Sequence, residues 1–282
     1  MTDLRPVTRV IPGQPASDGA GVRLLRSLGA SPALRLDPFL MLDEFYSDDP
    51  ADYLAGFPPH PHRGFETITY MLDGHMRHRD HLGNTGDLGP GGVQWMTAGR
   101  GIIHEEMPQQ TAGRMRGFQL WLNLPAADKL QAARYRDIPA AAIPERGADG
   151  VRLRLIAGQV EQTLGAVDQL MGTPATQPLY ADLHLDPGAR HTLPLPVGHS
   201  AFVYLYEGAA HSQDTPLRAR AVSVLGEGAA VSLRAGAAGA RLLVLAARPL
   251  REPVVQYGPF VMNTREEIEQ ALADYQAGTL AG

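Results

Sequence analysis

The sequence predicts an all-β protein that ends in one helix, and three observations favour that fold class. The 282 residues include 31 glycines and 23 prolines, a turn-rich composition that suits many short strands. Runs of period-two or continuous β-branched and aromatic character recur between turns, among them RGFETITYML, MRGFQLWLNL and SAFVYLYEG. A single helical pattern, TREEIEQALADYQAG, stands near the C-terminus. Together these features indicate a β-sandwich or β-barrel architecture.

The composition also excludes several classes of function. The formal charge is −5, no run of basic residues occurs and Lys129 is the one lysine, so direct nucleic-acid binding is not expected. The absence of cysteine excludes disulfides, thiolate catalysis and cysteine-ligated metals, which leaves histidine and carboxylate as metal ligands. No signal-peptide core and no stretch of about 18 apolar residues is present. We therefore expect a cytoplasmic protein with no membrane association.

The first chemical motif is the pair His60 and His62 in FPPHPHRGFETITYMLDGH, with Glu66 close behind. Alternate side chains of an extended segment share a face, so both imidazoles can point at one position. The neighbouring Pro59 and Pro61 stiffen this arrangement. Histidines in a proline-rich loop also occur simply as solvated turn residues, so a metal site needs further ligands.

Further ligands are offered by the segment GDLGPGGVQWMTAGRGIIHEEMP. His104 and Glu106 alternate, so they face the same way if the segment is extended. Gly99 and Gly101 permit a tight bend just before them. The pairs His-x-His and His-x-Glu together supply three histidines and one carboxylate, a set that binds first-row divalent metals.

The identity of the carboxylate ligand is open on the residues alone. Glu66 is four residues beyond His62 and can share its face, so either Glu66 or Glu106 can complete the set. The remaining histidines lack such pairing. We expect the three in the polar connection to be exposed, with one of them able to line a pocket mouth, and the four in the second half to be structural or solvated. They are His75, His78 and His81 in the polar connection DGHMRHRDHLGN, and His184, His191, His199 and His211 in the second half.

A short internal repeat predicts two similar β-domains. The segment TITYMLDG at 67–74 aligns with AFVYLYEG at 201–208, and the proline-punctuated stretch at 137–150 is typical of a surface crossing between domains. We therefore predict an N-terminal domain at 1–136, a linker at 137–150, and a C-terminal domain with its helix at 151–282.

The repeat also predicts which domain holds the metal. At the same offset, Pro194 and Pro196 stand where His60 and His62 stand in the first copy. The second domain is therefore expected to lack metal ligands.

The C-terminal helix is predicted to begin at a capping box, in which Thr264 stands three residues before Glu267. Ile268, Leu272 and Tyr275 share one face of this helix. That pattern favours a helix that packs on the β-domains over one that binds a partner.

Several stretches are distinctive enough to indicate a family: DPFLMLDEF, PHPHRGFETITYMLDG, GGVQWMTAGRGIIHEEMP, GFQLWLNLP and REPVVQYGPFVMNTREEI. They resemble the pirin family of the cupin superfamily, and they extend from residue 37 to the C-terminal helix. The resemblance implies a bicupin, with two antiparallel β-barrels of the double-stranded β-helix or jelly-roll type and one metal site in the N-terminal barrel.

Carried over by position, the ligands of that family fall on His60, His62, His104 and Glu106. General cupins instead use a glutamate shortly after the His-x-His pair, which is Glu66 here. We follow the family pattern, in which Glu66 is left to orient a histidine from outside the ligand set.

The resemblance implies a metal-dependent dioxygenase that cleaves flavonols such as quercetin by 2,3-dioxygenation. Its cofactor would be one divalent ion per chain, Fe(II) before Mn, Ni, Cu or Zn, and its substrates an aromatic small molecule and dioxygen. Glu106 would also accept the flavonol hydroxyl proton. Aromatic candidates for the pocket wall are Phe65, Tyr70, Trp95, Phe118 and Trp121. The alternative implied by the family is a metal-dependent transcriptional co-regulator that acts through a protein partner, or a binding protein without turnover.

Overall fold

The computed structural model describes residues 3–282, which form mainly antiparallel strands joined by short connections. The first half contains β1 (Val7–Pro12), β2 (Gln14–Asp18), β3 (Val22–Leu28), β4 (Phe39–Ser47), β5 (Phe57–His62), β6 (Phe65–Asp73), β7 (Met76–Asp80), β8 (Thr85–Leu88), β9 (Val93–Thr97), β10 (Ile102–Pro108), β11 (Met115–Asn123) and β12 (Arg134–Ile138).

The second half contains β13 (Glu145–Ala148), β14 (Val151–Ala157), β15 (Gln159–Val160), β16 (Thr163–Leu164), α1 (Ala166–Met171), β17 (Leu179–Leu185), β18 (Arg190–Pro194), β19 (Ser200–Ser212), β20 (Thr215–Pro216), β21 (Ala221–Leu225), β22 (Ala230–Ala247), β23 (Val255–Tyr257), β24 (Phe260–Met262) and α2 (Arg265–Gln276). Single 3-10 turns lie at Pro32–Leu34, Pro50–Asp52, Ala126–Asp128 and Ala140–Ala142. The mainly β fold class and the C-terminal helix are as predicted. Across residues 3–282, no helix has the length and apolar character needed to cross a membrane.

The chain forms two compact units, each assembled from separate stretches of sequence. What we call the histidine unit comprises Pro15–Arg26, Phe39–Ala140 and Leu250–Gly282. What we call the aliphatic unit comprises residues 3–14, Ser27–Pro38 and Ala141–Pro249.

These units differ from the predicted domain boundaries at both ends of the chain. The N-terminal strand β1 pairs with β21, so it belongs with the second half of the sequence. The helix α2 packs on Phe260 and Met262 in the histidine unit, so it belongs with the first half. The stretch predicted as a linker at 137–150 contains β13, which is hydrogen-bonded to β14. Sequence reasoning missed the placement of β1 and α2 because both depend on contacts between segments far apart in the chain, whereas β13 and β14 form a local hairpin.

The aliphatic unit is built on a sheet with the order β1-β21-β19-β22-β17-β14-β13, with β18 beside β22 and β20 beside β19. Its core is lined by Leu, Val and Ala side chains. Leu193 and Leu195 are buried in that core, whereas Pro194 and Pro196 are exposed. Leucines therefore point inward at the segment that the repeat aligns with the His-x-His pair.

The histidine unit contains two sheets, with the orders β12-β9-β6-β11-β4-β3-β2 and β5-β10-β7-β8. Met71 and Met115 of the larger sheet pack with Met76 and Leu88 of the smaller one. Polar side chains are also buried in this unit, among them His62, His104 and Glu106. Closure of either unit into a barrel stays a prediction.

The helix α2 begins as the capping box predicts. The Thr264 hydroxyl accepts from the backbone N–H of Glu267 at 3.2 Å, and the Glu267 carboxylate accepts from the backbone N–H of Thr264 at 2.9 Å. Ile268 is buried and Leu272 packs beside it, while Tyr275 stays largely exposed.

The segment after the His-x-His pair is fixed to the C-terminal part of the same unit. The backbone N–H of Val261 donates to Arg63 at 3.0 Å, and the Arg63 guanidinium forms a 2.7 Å ion pair with Asp274. Gly64 has φ +90°, and a Cβ there would collide with the Val261 carbonyl. Glycine is therefore required at this bend, which ends β5 and redirects the chain into β6.

Lys129 secures the same bend from inside the unit. Its ammonium is fully buried and donates to the Gly64 carbonyl at 2.8 Å, the Asn123 side-chain oxygen at 2.7 Å and the Val261 carbonyl at 3.0 Å. Burial lowers the pKa of Lys129 to about 8, so the side chain is still protonated at neutral pH. All three ammonium protons are thus used to hold three separate segments together.

We expect Lys129→Met to lower the free energy of unfolding by on the order of 3 kcal/mol, because three buried oxygens lose a charged donor. Urea unfolding at pH 7 measures the change. The exposed neighbour provides the control, since Leu130→Ala should stay within about 0.5 kcal/mol of the wild type. Equal effects of the two substitutions would show that the ammonium has no such anchoring role.

Candidate metal centre

Strand register brings the predicted histidines together. In the antiparallel pair β5–β10, His104 lies directly opposite His60, and Ile102 lies opposite His62. Along β10 the side chains of Ile102, His104 and Glu106 are buried, while Ile103 and Glu105 are half-buried on the other face. The extended conformation assumed for the His-x-Glu pair is therefore what the structure shows.

Three imidazoles form one compact group. The ring centroid of His104 lies 4.4 Å from that of His60 and 5.0 Å from that of His62, and the centroids of His60 and His62 are 4.7 Å apart. One ligand nitrogen from each ring lies within 4.8 Å of the other two. The structure thus assembles the three predicted histidines, from β5 and β10, at one place.

The ring nitrogens of this group are only partly used by the protein. His60 Nδ1 lies 2.8 Å from the Pro58 carbonyl, which requires the proton on Nδ1 and leaves Nε2 as a free lone pair. Among residues 3–282, the buried atoms His62 Nδ1 and His104 Nε2 have no hydrogen-bond partner. Buried polar atoms are normally paired, so unpaired nitrogens in converging rings fit a set of ligands that binds a metal ion.

The protonation state of the three imidazoles also favours a metal-binding site. Burial lowers the pKa of His62 and of His104 well below the usual histidine value, and the neighbouring imidazoles lower both further. Burial also lowers the pKa of His60, although the Pro58 carbonyl offsets part of the shift. The three rings are therefore neutral at pH 7, the state in which imidazole binds a metal.

Glu106 is buried on the same face of β10 as His104, and its carboxylate contacts a threonine hydroxyl. Its Oε1 lies 2.9 Å from the Thr69 hydroxyl, which also lies 2.7 Å from the side-chain amide of Gln119. Burial raises the pKa of Glu106 to about 7, and the contacts with Thr69 and Gln119 offset part of the rise. The carboxyl group is thus poised between its two protonation states at neutral pH.

Glu66, the alternative carboxylate, has a different environment. Its Oε1 accepts from Trp95 Nε1 at 3.1 Å and from the Thr97 hydroxyl at 2.7 Å. Along β6 it lies three residues before Thr69, so the two side chains point to opposite faces of the sheet. The alternative in which Glu66 shares the face of His62 is thus not realised, because the bend at Gly64 interrupts the alternation. The expectation that Glu66 orients a histidine is also wrong, since its hydrogen bonds go to Trp95 and Thr97.

Comparison with known proteins agrees with the sequence motifs. A family model described as Pirin matches residues 21–122, and one described as Pirin C-terminal cupin domain matches residues 180–281. The chain belongs to the pirin family.

Relatives cover the whole chain. A Pseudomonas aeruginosa protein whose name gives quercetin 2,3-dioxygenase as a proposed activity is 55% identical over 289 residues, with 100% of both chains covered. Human pirin is 40% identical, with 98% of this chain and 94% of the relative covered. A crystal structure of a quercetin 2,3-dioxygenase from Acinetobacter baumannii matches with a TM-score of 0.90 and 34% identity, and 99% of each chain is covered. The fold is thus of the cupin type found in pirins.

The aromatic residues proposed for the pocket wall of this pirin divide into two groups. Phe65 and Trp121 contact His62, with ring centroids at 5.1 and 5.2 Å, and Trp121 is half-buried. By register, Tyr70, Trp95 and Phe118 lie on the opposite face of the larger sheet from Thr69, so they are core residues.

His78 is the residue that sequence reasoning placed wrongly. It was expected to be exposed, yet it is fully buried and its Nδ1 lies 3.3 Å from His104 Nδ1. The available signal was the alternation in MRHRD, where Met76 and His78 share the inward face and Arg77 and Arg79 point away. His75 and His81 are at least partly exposed, as expected.

We expect Glu106→Gln to stabilise the metal-free protein at high pH. A carboxyl whose pKa rises from 4.5 to about 7 on folding holds a proton preferentially in the folded state, so wild-type stability falls as pH rises through that window. The stability of the variant relative to wild type should grow by about 3 kcal/mol between pH 4.5 and pH 8. Urea unfolding with a chelator present measures it.

The adjacent carboxylate, Glu105, lies on the other face of β10 and serves as the matched control. Glu105→Gln should show a much smaller change over the same pH range. A flat difference for Glu106→Gln would contradict the raised pKa.

Proposed function

We propose that this pirin-family chain is a metal-dependent oxidoreductase that cleaves flavonols such as quercetin by 2,3-dioxygenation. The observation that carries the proposal is the convergence of three neutral histidines, two of them with unpaired buried nitrogens. The likeness to quercetin 2,3-dioxygenase from Acinetobacter baumannii over 99% of the chain supports the substrate class.

In this proposal His60, His62, His104 and Glu106 hold one divalent metal ion per chain. Three imidazoles and a carboxylate suit first-row metals, with Fe(II) the expected ion and Mn, Ni, Cu and Zn accepted by the same donors. When bound, Fe(II) would supply the Lewis acidity and one-electron chemistry that lets dioxygen react with an organic substrate.

Glu106 is the proposed catalytic residue. Burial raises the pKa of Glu106 to about 7 in the metal-free protein, and a bound cation would favour its charged form, so Glu106 would be a carboxylate able to take the proton from a flavonol hydroxyl. The Thr69 hydroxyl, 2.9 Å from Oε1, fixes where that proton is exchanged. The half-buried ring of Trp121 beside His62 offers an apolar face against which an aromatic substrate can pack.

Dioxygen uptake with quercetin tests the proposal. The wild-type protein loaded with Fe(II) should bind about one ion per chain and consume dioxygen when quercetin is added. The double variant His60→Ala/His62→Ala should lose both properties. Glu106→Gln should reduce the uptake rate about 100-fold or more because it removes the proton acceptor.

Glu66→Gln is the matched control, since it changes a buried glutamate on the opposite face of β6 and should retain far more activity than Glu106→Gln. The reverse ranking would assign the chemistry to Glu66. Stoichiometric metal binding without uptake for any flavonol would refute the enzymatic proposal and favour the alternative, a pirin that acts through a protein partner.

A further inference from the structure

A second histidine and a carboxylate lie directly behind His104. His104 Nδ1 lies 3.3 Å from His78 Nδ1, and His78 Nε2 lies 3.2 Å from Asp80 Oδ2. The side chains of His78 and Asp80 are 1% and 0% exposed, so water cannot replace either contact. The three groups form one chain of hydrogen bonds that leads away from the imidazole cluster.

The direction of this chain follows from the donors and acceptors available. Asp80 as a carboxylate only accepts, so His78 Nε2 must carry a proton and donate it. A neutral His78 then has a bare lone pair on Nδ1, which can only accept, so His104 Nδ1 must be the donor. Each neutral ring carries a single N–H proton. Because the proton of His104 is on Nδ1, its Nε2 has an unprotonated lone pair. It is the same atom that is buried without a partner.

The carboxylate at the end of the chain is held in a fixed orientation. Asp80 Oδ1 accepts from the backbone N–H groups of Leu82 and Asn84, both at 3.0 Å. Asp80 Oδ2 accepts from the side-chain amide of Asn84 at 2.8 Å in addition to His78. Four donors surround this carboxylate, so both of its oxygens act as acceptors.

The ring of His78 is held as firmly as the carboxylate. Tyr135 stacks on it with a centroid distance of 4.0 Å and an interplanar angle of 15°. The Tyr135 hydroxyl donates to Asp137 at 2.5 Å and accepts from the Gln94 amide at 2.9 Å, so the tyrosine is anchored at its far end. His78 therefore cannot turn away from His104 without disrupting packed neighbours.

We propose that His78 and Asp80 are positioning residues that fix the tautomer and the orientation of His104, so that its Nε2 lone pair is held ready for a metal ion. This inference rests on the metal site in the proposed function, but it requires no turnover and no particular substrate. The general precedent is the outer carboxylate or histidine that orients a ligating imidazole.

Asp80→Asn provides a sharp test because it should reverse the direction of both hydrogen bonds that link Asp80, His78 and His104. The backbone donors at Leu82 and Asn84 would hold the amide oxygen at the Oδ1 position, which turns the amide NH2 towards His78 Nε2. His78 would then accept at Nε2 and donate from Nδ1, and His104 would carry its proton on Nε2, where the metal must bind.

Nitrogen-15 NMR of the imidazoles in the metal-free protein shows directly which ring nitrogen of His104 carries the proton. The wild type should show His104 protonated on Nδ1 and bare on Nε2, and Asp80→Asn should show the opposite. A merely structural role for Asp80 would leave the tautomer unchanged. Wild-type His104 with its proton on Nε2 would overturn the proposal without any variant.

Zinc affinity provides the second readout, measured by competition with a chromophoric chelator. Asp80→Asn and His78→Phe should each weaken zinc binding about 10- to 100-fold, and His75→Phe, nearby but partly exposed and outside the hydrogen-bonded pair, should not. Circular dichroism checks that each variant folds. If His78→Phe does not fold, Asp80→Asn alone still tests the proposal. Unchanged affinity in a folded Asp80→Asn variant would refute the proposal.

The two proposals fail in distinguishable ways. A wild-type protein that binds no zinc refutes the metal site itself. A protein that binds zinc with the predicted tautomer but consumes no dioxygen with flavonols refutes the proposed function and leaves the role of His78 and Asp80 standing.

Discussion

The antiparallel register of β10 between β5 and β7 is the constraint on which the candidate site depends. It places His104 opposite His60 on one side and opposite Asp80 on the other, with Glu106 opposite His78. Because side chains alternate along a strand, a slip of one residue would turn both His104 and Glu106 out of the buried face. One register thus assembles the imidazole cluster and the hydrogen-bonded pair behind it.

That register is supported from the far end of the sequence. The turn that follows His62 is fixed by the buried ammonium of Lys129 and by the contacts of Arg63 with Val261 and Asp274.

In the aliphatic unit, leucines fill the core at the segment that the sequence repeat aligns with the His-x-His pair. Both units bury polar groups that need partners or a ligand, and the group of three histidines lies in the histidine unit.

Local patterns in the sequence predicted what depends on local geometry. The alternation in His-x-His and His-x-Glu and the capping box at Thr264 each involve residues within a few positions of one another. The structure groups His60, His62 and His104, buries Glu106 on the same face of β10 as His104, and has the capping box. Three expectations differ from the structure. The Gly64 bend turns Glu66 towards Trp95 and Thr97 instead of a histidine, and the alternation in MRHRD, a local signal, buries His78. Both chain ends belong to the other unit because of pairing and packing between distant segments, which no local pattern records.

The central claim is that the histidine unit holds one divalent metal ion between β5 and β10. Anomalous diffraction from crystals of the metal-loaded protein, recorded above and below the absorption edge of the ion, tests it most directly. The account predicts one peak per chain, bonded to nitrogens of His60, His62 and His104 and to a carboxylate oxygen of Glu106, at about 2.0–2.2 Å. A peak at any other position, a second peak of equal height in the aliphatic unit, or no peak among these histidines would contradict it.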